Sequence, residues 1–372
     1  MRVLNTYRTY FPDPPGGLQE AIRQICIATS KNGVENSIFT LSPVHRPKLL
    51  IRPEANVFRE HSWIAPASCD IGGMKSFTTF SNLLQQTDIV HYFHPWPFAD
   101  LLNLLKKRKK PTLLTYISDV VRQRYLGKIY APLMWHTLRQ MDVIVANCPS
   151  YLESSPILSH HSIRDKVKII PLGIDESSYP KVGDDAVFDR INLARNVPYF
   201  LFLGVLRYYK GVHTLITASK SLKAKVVIAG SGPESEKLKK QAESLGLKNI
   251  IFAGQITNEE KITLIKNCIA LVLPSHLRSE AYGMVLVEAS MMNKPMISCE
   301  IGTGTSFVNL NNITGFVVPP ESPQKLAVAM QDLFLDENLA NKMGSAARSR
   351  YEKMFSGVAL GNAYSSLYHD LL

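Results

Sequence analysis

The sequence lacks long hydrophobic runs and has few cysteines, and each absence excludes a class of protein. The longest apolar stretches, such as residues 270–274 and 284–287, are far too short to span a bilayer. The first residues, Arg2-Val3-Leu4, do not belong to a hydrophobic signal region, so we expect a cytoplasmic protein. The five cysteines are scattered, and none are paired at metal-ligand spacing. We therefore expect reduced core thiols at Cys26, Cys69, Cys148, Cys268 and Cys299.

Positive charge is the most unbalanced feature of the composition. The 372 residues carry a formal net charge of +11, while 45% are hydrophobic and 20% are charged. This is the composition of a globular protein, and the length suits two domains. The charge favours an acidic partner such as nucleic acid, anionic lipid or a phosphorylated substrate. A generic solubilising surface charge explains it equally well, so composition alone does not choose among these.

Short apolar segments alternate with amphipathic segments in two series. This alternation predicts an α/β fold with two Rossmann-like, doubly wound domains, each a parallel sheet with helices on both faces. We expect domains at residues 1–173 and 174–354, with a polar linker over 174–196, and a final helix over 355–372 that packs back on the first domain. Ligands bind such sheets at the carboxyl ends of the strands, so two facing domains predict a central cleft. The predicted strands are 3–7, 37–41, 88–92, 112–117, 143–146 and 168–170, then 200–203, 225–229, 250–253, 270–273 and 296–298.

Two carboxylates, Glu280 and Glu288, bracket a predicted loop-to-helix junction in the second series. Gly283 permits close backbone approach, and the start of the following helix presents free N–H groups that would stabilise a diphosphate. One carboxylate could then hold sugar hydroxyls and the other a ribose. A surface helix with two ordinary glutamates explains the spacing equally well.

Glycines and one lysine lie where other predicted strands end. Gly16 and Gly17 follow the first strand and let a phosphate or sugar oxygen approach the backbone, although a plain turn is the alternative. Gly230 and Gly232 follow the strand 225–229 and make room for a flat base, or else a tight connection to the next helix. Lys210 follows the strand 200–203, from which a lysine can reach into the cleft and neutralise phosphate.

Four segments together resemble retaining glycosyltransferase family 4. They are the glutamate-x7-glutamate segment at 280–288, GVLRYYKG at 204–211, AGSGP at 229–233 and IPLGID at 170–175, in the order and approximate spacing of the family. With Gly16-Gly17, the resemblance covers nearly the whole chain. The forms HLRSE at 276–280 and EIGTGTS at 300–306 resemble a branch of bacterial O-antigen mannosyl- and rhamnosyltransferases that use GDP-sugars. The resemblance implies the GT-B fold.

The resemblance also implies roles for the residues at the strand ends. The second domain would bind the nucleotide sugar and the first domain the acceptor. Lys210, Arg207 and Glu280 form the implied catalytic set, in which the cations stabilise the leaving diphosphate and Glu280 holds the sugar. Glu288 would hold the ribose. The other implied substrate-binding residues are Gly16, Gly17, Asp119, Gly230, Gly232, Tyr282, Gly283, Met284 and Val285.

The sequence departs from the family pattern beside the lysine. The arginine that the family places five residues before it is replaced by Val205. Arg207 is the nearest substitute, and an ordinary exposed loop arginine is the alternative.

A second departure lies in the segment TYISD at 115–119, where Ile117 replaces the family's histidine. Isoleucine cannot donate a hydrogen bond, so Asp119, Ser118, or one of His91 and His94 takes over the sugar contacts, or activity is reduced. The two histidines have metal-like spacing, but no acidic or thiol ligand stands beside them in the sequence. We expect them to line the cleft and not to bind a metal.

A basic run, KKRKK at 106–110, and a cationic and aromatic segment at 121–136 fall in the first domain. Both suit an anionic membrane surface, where each cation adds about 1 kcal/mol. A solvated helix face is the alternative. The resemblance favours the membrane because the acceptors are lipid-linked, so we expect peripheral association with the inner face of the cytoplasmic membrane.

The resemblance implies a retaining transfer of a hexose, mannose from GDP-mannose, onto a lipid-linked glycan acceptor in O-antigen biosynthesis. No cofactor is expected beyond this nucleotide-sugar co-substrate. The alternatives are a non-catalytic sugar-nucleotide-binding scaffold, a transferase using another GDP- or UDP-sugar, and a sugar-nucleotide epimerase. Nucleic-acid binding has only the net charge in its favour, because the sequence shows no recognition module.

The sequence contains no Asp-x-Asp segment, the paired aspartates through which metal-assisted transferases bind a diphosphate. We therefore expect transfer to proceed without divalent metal. The measurement is turnover with and without a chelator. A complete loss of activity in chelator, reversed by adding Mg²⁺ or Mn²⁺, would contradict the expectation.

Overall fold

The computed structural model describes residues 1–13, 16–66, 69–105, 110–119 and 124–372. The chain divides into two compact units. Unit 1 comprises Met1–Asp175 and Gly357–Leu372, and unit 2 comprises Glu176–Ser356. The boundaries expected from the sequence, after residues 173 and 354, lie close to these divisions. All five cysteines are free thiols, of which Cys69 is half-buried and the other four are buried.

Unit 1 is built around one large sheet. Its strands are β1 (Arg2–Thr6), β2 (Glu35–Ser42), β3 (Leu49–Arg52), β4 (Ala55–Ile64), β5 (Ile71–Gly72), β6 (Ile89–His94), β7 (Thr112–Tyr116), β8 (Val143–Ala146) and β9 (Val167–Ile169). Its helices are α1 (Gly17–Ser30), α2 (Met74–Gln85), α3 (Pro97–Leu104), α4 (Arg124–Gln140), α5 (Pro149–Ser154) and, at the end of the chain, α14 (Gly357–Leu371). The strand order is β3-β4-β2-β1-β6-β7-β8-β9, and β5 pairs with β4. The order reverses beside β1, which pairs in parallel with both β2 and β6.

The strands β3, β4 and β5 were not predicted from the sequence. Pairing is antiparallel between β3 and β4 and between β4 and β5. The pattern of β4 is obscured because it buries charged residues, among them Arg59 and Glu60. Arg59 donates to Ser42 Oγ at 2.7 Å and lies 3.5 Å from an oxygen of Asp13. A buried strand whose polar groups are satisfied in this way gives no apolar run to recognise.

Helix α14 belongs to unit 1 and packs along α1, as the sequence predicts for the end of the chain. Two of its tyrosines reach the buried ends of sheet residues. The hydroxyl of Tyr368 lies 2.8 Å from Nδ1 of His91, and that of Tyr364 lies 2.9 Å from Oγ1 of Thr115. These buried hydrogen bonds tie the last helix to β6 and β7.

Unit 2 has the strand order of a doubly wound nucleotide-binding sheet. Its strands are β10 (Tyr199–Leu203), β11 (Lys225–Ala229), β12 (Ile250–Gly254), β13 (Leu271–Leu273), β14 (Met296–Cys299) and β15 (Gly315–Val318). Its helices are α6 (Ala186–Arg190), α7 (Val212–Ala218), α8 (Ser235–Ser244), α9 (Asn258–Asn267), α10 (Met284–Met291), α11 (Thr305–Val308), α12 (Pro323–Leu335) and α13 (Glu337–Arg350). All pairs are parallel, in the order β12-β11-β10-β13-β14-β15. The order reverses between β10 and β13, where such sheets bind ligands beyond the strand ends.

The predicted linker over residues 174–196 is a correction. Residues 176–196 belong to unit 2, and Val187 and Phe188 of α6 are buried there. The segment appears polar because its few apolar residues are surrounded by charged ones. Among the described residues, no helix has both the length and the apolar character needed to cross a membrane.

Candidate functional site

The clearest cluster of charged side chains in unit 2 lies at the reversal point of the sheet. Lys210 ends a 3₁₀ turn after β10, and Glu280 lies in the loop after β13. The ammonium group of Lys210 forms an ion pair with Oε2 of Glu280, which also accepts a hydrogen bond from Ser275 Oγ at 3.1 Å. The two charged side chains are only 13% and 10% exposed. The structure therefore brings together two of the three residues in the predicted catalytic set.

The electrostatics of this pair keep Lys210 charged. Burial opposes the ammonium form, but the carboxylate of Glu280, the nearby Tyr209 and the hydrogen bond to Glu280 outweigh that effect, so the pKa of Lys210 is raised above its usual value. A lysine with a raised pKa is fully protonated at neutral pH. The site thus holds a buried, permanent positive charge at the end of a parallel strand.

Gly211 explains how the two loops come so close. Its φ is +69°, in the left-handed region that glycine adopts without cost. A Cβ atom at this position would lie 1.9 Å from the carbonyl oxygen of Pro274, in the loop that carries Glu280. The N–H of His276 also donates to the carbonyl of Tyr209 at 3.0 Å. The turn of Lys210 and the loop of Glu280 are therefore in direct backbone contact.

Arg207, the predicted substitute for the missing arginine, lies next to this pair. Its charge is close enough to oppose the protonation of Lys210. The residue is exposed, and its guanidinium has no hydrogen-bond partner in the part of the chain that the structure describes. Val205 is 50% exposed and contributes no charge.

The start of α10 supplies the expected free backbone N–H groups. Gly283 is its N-cap with a φ of +83°, and no side chain caps the helix. Tyr282 and Val285 are buried, and Met284 is half-buried. The N–H groups of residues 283–285 have no hydrogen-bond acceptor among the described residues. An anion would be stabilised here by these donors and by the helix dipole.

The loop after β14 supports the Glu280 segment from behind. Thr303 Oγ1 donates to the carbonyl of Glu280 at 2.8 Å, and the N–H of Gly304 donates to the carbonyl of Ala281 at 2.9 Å. A Cβ atom on Gly304 would lie 2.5 Å from the ring of Tyr282. The two segments that resemble one branch of the family, 276–280 and 300–306, are thus packed against each other.

Glu288 belongs to a separate network. Its Oε1 accepts hydrogen bonds from Lys261 Nζ at 2.7 Å and from the hydroxyl of Tyr179. The ammonium of Lys261 lies 4.6 Å from the centre of the Tyr179 ring. Sequence reasoning missed both partners, because nothing local marks a lysine on α9 or a tyrosine before α6 as a neighbour of Glu288.

Gly230 and Gly232 have a structural requirement that the sequence did not reveal. A Cβ atom at Gly230 would lie 2.0 Å from the carbonyl oxygen of Gly204, and one at Gly232 would lie 2.5 Å from that of Leu206. The backbone of the loop after β10 therefore fills the space that a side chain would occupy. Of the two interpretations of these glycines, the structure supports the tight connection, and their contact with a base stays a prediction.

In unit 1, Gly16 and Gly17 begin α1. Gly16 is an N-cap in extended conformation, and no side chain caps the helix. A Cβ atom on Gly17 would have no neighbour within 4 Å among the described atoms. The start of this helix is therefore open, as a site for an oxygen-rich ligand requires.

Asp119 is held by its own unit. Its Oδ1 accepts hydrogen bonds from the Tyr116 hydroxyl at 2.9 Å and from Ser155 Oγ at 2.7 Å. Ile117, two residues earlier, is 8% exposed. These bonds give Asp119 a structural task, and its contact with a substrate stays a prediction.

The two histidines of β6 do not line an open surface. His91 is fully buried, with Nδ1 bonded to Tyr368 and Nε2 lying 2.7 Å from Thr115 Oγ1. His94 is 2% exposed and stacks on Tyr116 with 4.5 Å between the ring centres. Burial lowers the pKa of each histidine to about 3. The expectation that one of them takes over sugar contacts is wrong for His91, whose ring nitrogens are both used in the core.

The predicted basic run at 106–110 lies outside the described residues except for Lys110, and so do residues 121–123 of the second cationic segment.

Comparisons with known proteins agree with this geometry. A family model described as Glycosyltransferase Family 4 matches residues 15–178, and one described as Glycosyl transferases group 1 matches residues 184–350. The chain is 40% identical to D-rhamnosyltransferase WbpZ of Pseudomonas aeruginosa, over 96% of this chain and 92% of the relative. It is 37% identical to O-antigen chain mannosyltransferase C of Escherichia coli, over 100% and 99%. Its fold is similar to that of sucrose-phosphate synthase from Thermosynechococcus elongatus, with a TM-score of 0.80 at 20% identity over 100% and 98% of the two chains.

The contact between Gly211 and Pro274 predicts a sharp effect of a single methyl group. Gly211→Ala should destabilise the protein by about 1–3 kcal/mol more than Gly246→Ala, because overpacking is added to the left-handed backbone. Gly246 is the matched control, since its φ is +63° but its Cβ position has no neighbour within 4 Å. Urea unfolding midpoints of the two variants measure the difference. Equal losses would mean that the loops of Lys210 and Glu280 do not need this close approach.

Proposed function

The chain belongs to glycosyltransferase family 4, with the GT-B fold, and we propose that it is a retaining transferase that moves mannose from GDP-mannose onto a lipid-linked glycan in O-antigen biosynthesis. The observation that carries this proposal is the buried Lys210–Glu280 pair in a loop-to-helix segment that ends on the uncapped start of α10. Both relatives above 35% identity carry names of O-antigen or deoxyhexose transfer, which supports this donor class.

The donor diphosphate would bind between Lys210 and the N–H groups at the start of α10. Both groups stabilise negative charge, and both are fixed before the ligand arrives, so they cost no reorganisation when charge develops on the leaving diphosphate. Arg207 is exposed beside Lys210 with its guanidinium available for a second phosphate oxygen. Such a set of cations and helix N–H groups replaces the metal that other transferases place on the diphosphate.

Glu280 would hold the transferred sugar and Glu288 the ribose. Glu280 precedes the N-cap Gly283, on the side of the anion site away from the helix body. Glu288 lies within α10, next to Lys261. The acceptor would bind unit 1, where the open start of α1 offers backbone N–H groups. The protein would act in the cytoplasm at the membrane surface.

The test of this function is a donor screen. GDP-mannose, GDP-rhamnose and a set of UDP-sugars are each supplied with a synthetic lipid-linked acceptor, and product is measured for the wild type and for folded Lys210→Ala. We expect turnover with a GDP-sugar, an α-linked product from an α-linked donor, and a loss on the order of 100-fold or more in the variant. Binding of donors without any turnover would favour the scaffold alternative, and unchanged turnover in Lys210→Ala would remove the proposed diphosphate site.

The two glutamates should have separable roles. Glu288→Ala should weaken binding of free GDP, because the ribose loses its acceptor and Lys261 loses its carboxylate partner. Glu280→Ala should spare GDP binding and damage transfer, because free GDP has no sugar to lose. Calorimetric titration of GDP into both variants, with Glu280→Gln and Glu288→Gln as controls of equal size, measures the difference. Equal losses of GDP affinity in both alanine variants would show that these assignments are wrong.

Unit 1 adds an apolar and basic patch to the charge run as a candidate membrane surface. The indole of Trp63 lies against Gly73 and within 5.8 Å of the His61 ring. Trp63 is 70% exposed, and Met74, next to Gly73, is 81% exposed. The exposed residues of this surface are Val44, Arg46, Lys48, Trp63, Ile64, Met74 and Lys75. Tryptophan and aliphatic side chains beside lysine and arginine are typical of surfaces that lie in a lipid interface.

Peripheral binding to anionic membranes should depend on the run at 106–110. Replacing Lys106, Lys107, Arg108, Lys109 and Lys110 by Gln should release the protein from anionic vesicles and leave GDP binding intact. Added salt should weaken the wild type as well, since charges are screened over about 8 Å at physiological ionic strength. Vesicle co-sedimentation at low and high salt makes the measurement.

The matched control removes five exposed lysines from unit 2, at Lys220, Lys223, Lys239, Lys240 and Lys248. It has the same net charge as the first variant and should still bind vesicles. If the wild type ignores anionic vesicles at low salt, or if both variants bind equally, the run at 106–110 is only a solvated surface.

A further inference from the structure

Three residues that the proposed transfer does not use meet beside its donor site. They are His213 in the first turn of α7, His276 in the loop after β13, and Glu321, which lies just before α12. Each offers one ligand atom, and these atoms all lie within 4.8 Å of one another. The imidazole rings of His213 and His276 are 5.2 Å apart between centres and nearly perpendicular. Tyr208 stacks on His213 at 5.5 Å and so fixes one face of that ring.

His276 is the residue that points to a ligand. It is 8% exposed, and neither of its ring nitrogens has a hydrogen-bond partner in the part of the chain that the structure describes. A buried polar group without a partner costs about 1–3 kcal/mol, so folded proteins rarely leave one. An imidazole that donates its lone pair to a metal ion no longer has this deficit.

Glu321 adds the charge that such a site needs. It is exposed, so its carboxylate can move toward the two rings without breaking a buried contact. Its φ is +53°, a conformation that glycine or asparagine would adopt at lower cost. A glutamate at a position that disfavours it indicates that the side chain itself is required.

We propose that His213, His276 and Glu321 bind one zinc-class divalent ion. Two imidazoles and one carboxylate are a ligand set that suits Zn²⁺, whereas Mg²⁺, Mn²⁺ and Ca²⁺ prefer oxygen ligands. On a tetrahedral ion with bonds of about 2.0–2.2 Å, ligand atoms lie roughly 3.3–3.6 Å apart. The longest separation in the cluster therefore has to close by only about 1.5 Å. Three protein ligands leave the fourth position for water or another ligand.

The ion would clamp the loops that carry the ion pair. His213 lies three residues after Lys210, and His276 lies four residues before Glu280. A bond from each histidine to one ion would fix the spacing of these loops, and Glu321 would add the segment after β15. This is a positioning role, and it places no metal on the donor diphosphate. The expectation that transfer needs no Mg²⁺ or Mn²⁺ is therefore independent of it.

The experiment measures zinc binding to the full chain without donor or acceptor. Metal is removed with a chelator, the chelator is dialysed away, and ZnCl₂ is titrated by calorimetry. We expect one ion per chain and a rise in Tm with zinc that equal MgCl₂ or MnCl₂ does not produce. Glu321→Gln and His213→Ala should each weaken binding by more than tenfold. Because Glu321 is exposed, its variant tests the site even where a histidine variant unfolds.

The control is the double variant His160→Ala, His161→Ala. It removes two histidines of unit 1 whose rings stack at 4.3 Å, and it should bind zinc like the wild type. The proposal is overturned if the wild type binds no zinc, if Glu321→Gln and His213→Ala bind it as tightly as the wild type, or if the control variant loses it. None of these outcomes depends on turnover, so the proposed transferase function can fail or succeed separately.

Discussion

The candidate donor site depends on the direct backbone contact between Gly211 and Pro274. The loops that carry Lys210 and Glu280 are 70 residues apart in sequence. A side chain at position 211 would place a carbon atom 1.9 Å from the Pro274 oxygen, which no relaxed structure tolerates. The absence of that carbon lets the loops touch, and the ion pair, its hydrogen bond from Ser275 and the histidine cluster all follow from this approach.

The buried ion pair is better explained by function than by stability. Removing two charges from water costs on the order of several kcal/mol per ion, and their attraction often does no more than offset that cost. An apolar pair of similar size would serve the fold as well. A buried ammonium group beside uncapped helix N–H groups, however, is suited to an anionic ligand, which an apolar pair could not bind.

Sequence reasoning succeeded where a pattern is local. Six parallel strands of unit 1 and five of unit 2 were predicted because each is a short apolar run, and Glu280, Gly283 and Glu288 were found because they lie in one segment. It failed where partners are distant or charges are buried. Nothing in the chain near Lys261 marks it as a partner of Glu288, and the buried Arg59 hides β4 from any count of apolar residues.

Glycines interlock the other strand ends in the same way as Gly211. The loop after β11 packs through Gly230 and Gly232 on the loop after β10, and the loop after β14 packs through Gly304 on Tyr282. Each contact is backbone against backbone or ring, so the loops have little freedom to shift separately. A preorganised set of donors stabilises developing charge better than one that must rearrange.

The spacing of the two glutamates has a physical reason in this arrangement. Glu280 lies before the left-handed Gly283 and turns toward Lys210, whereas Glu288 lies on the fifth residue of α10 and meets Lys261 on α9. Along a helix each added residue rotates the following side chains by about 100°. One residue inserted or deleted between Gly283 and Glu288 would therefore turn the second carboxylate away from Lys261 and Tyr179. A fixed interval of seven residues is the only one that lets a single loop-to-helix segment serve both charge networks, since the loop sets the first glutamate and the helix phase sets the second.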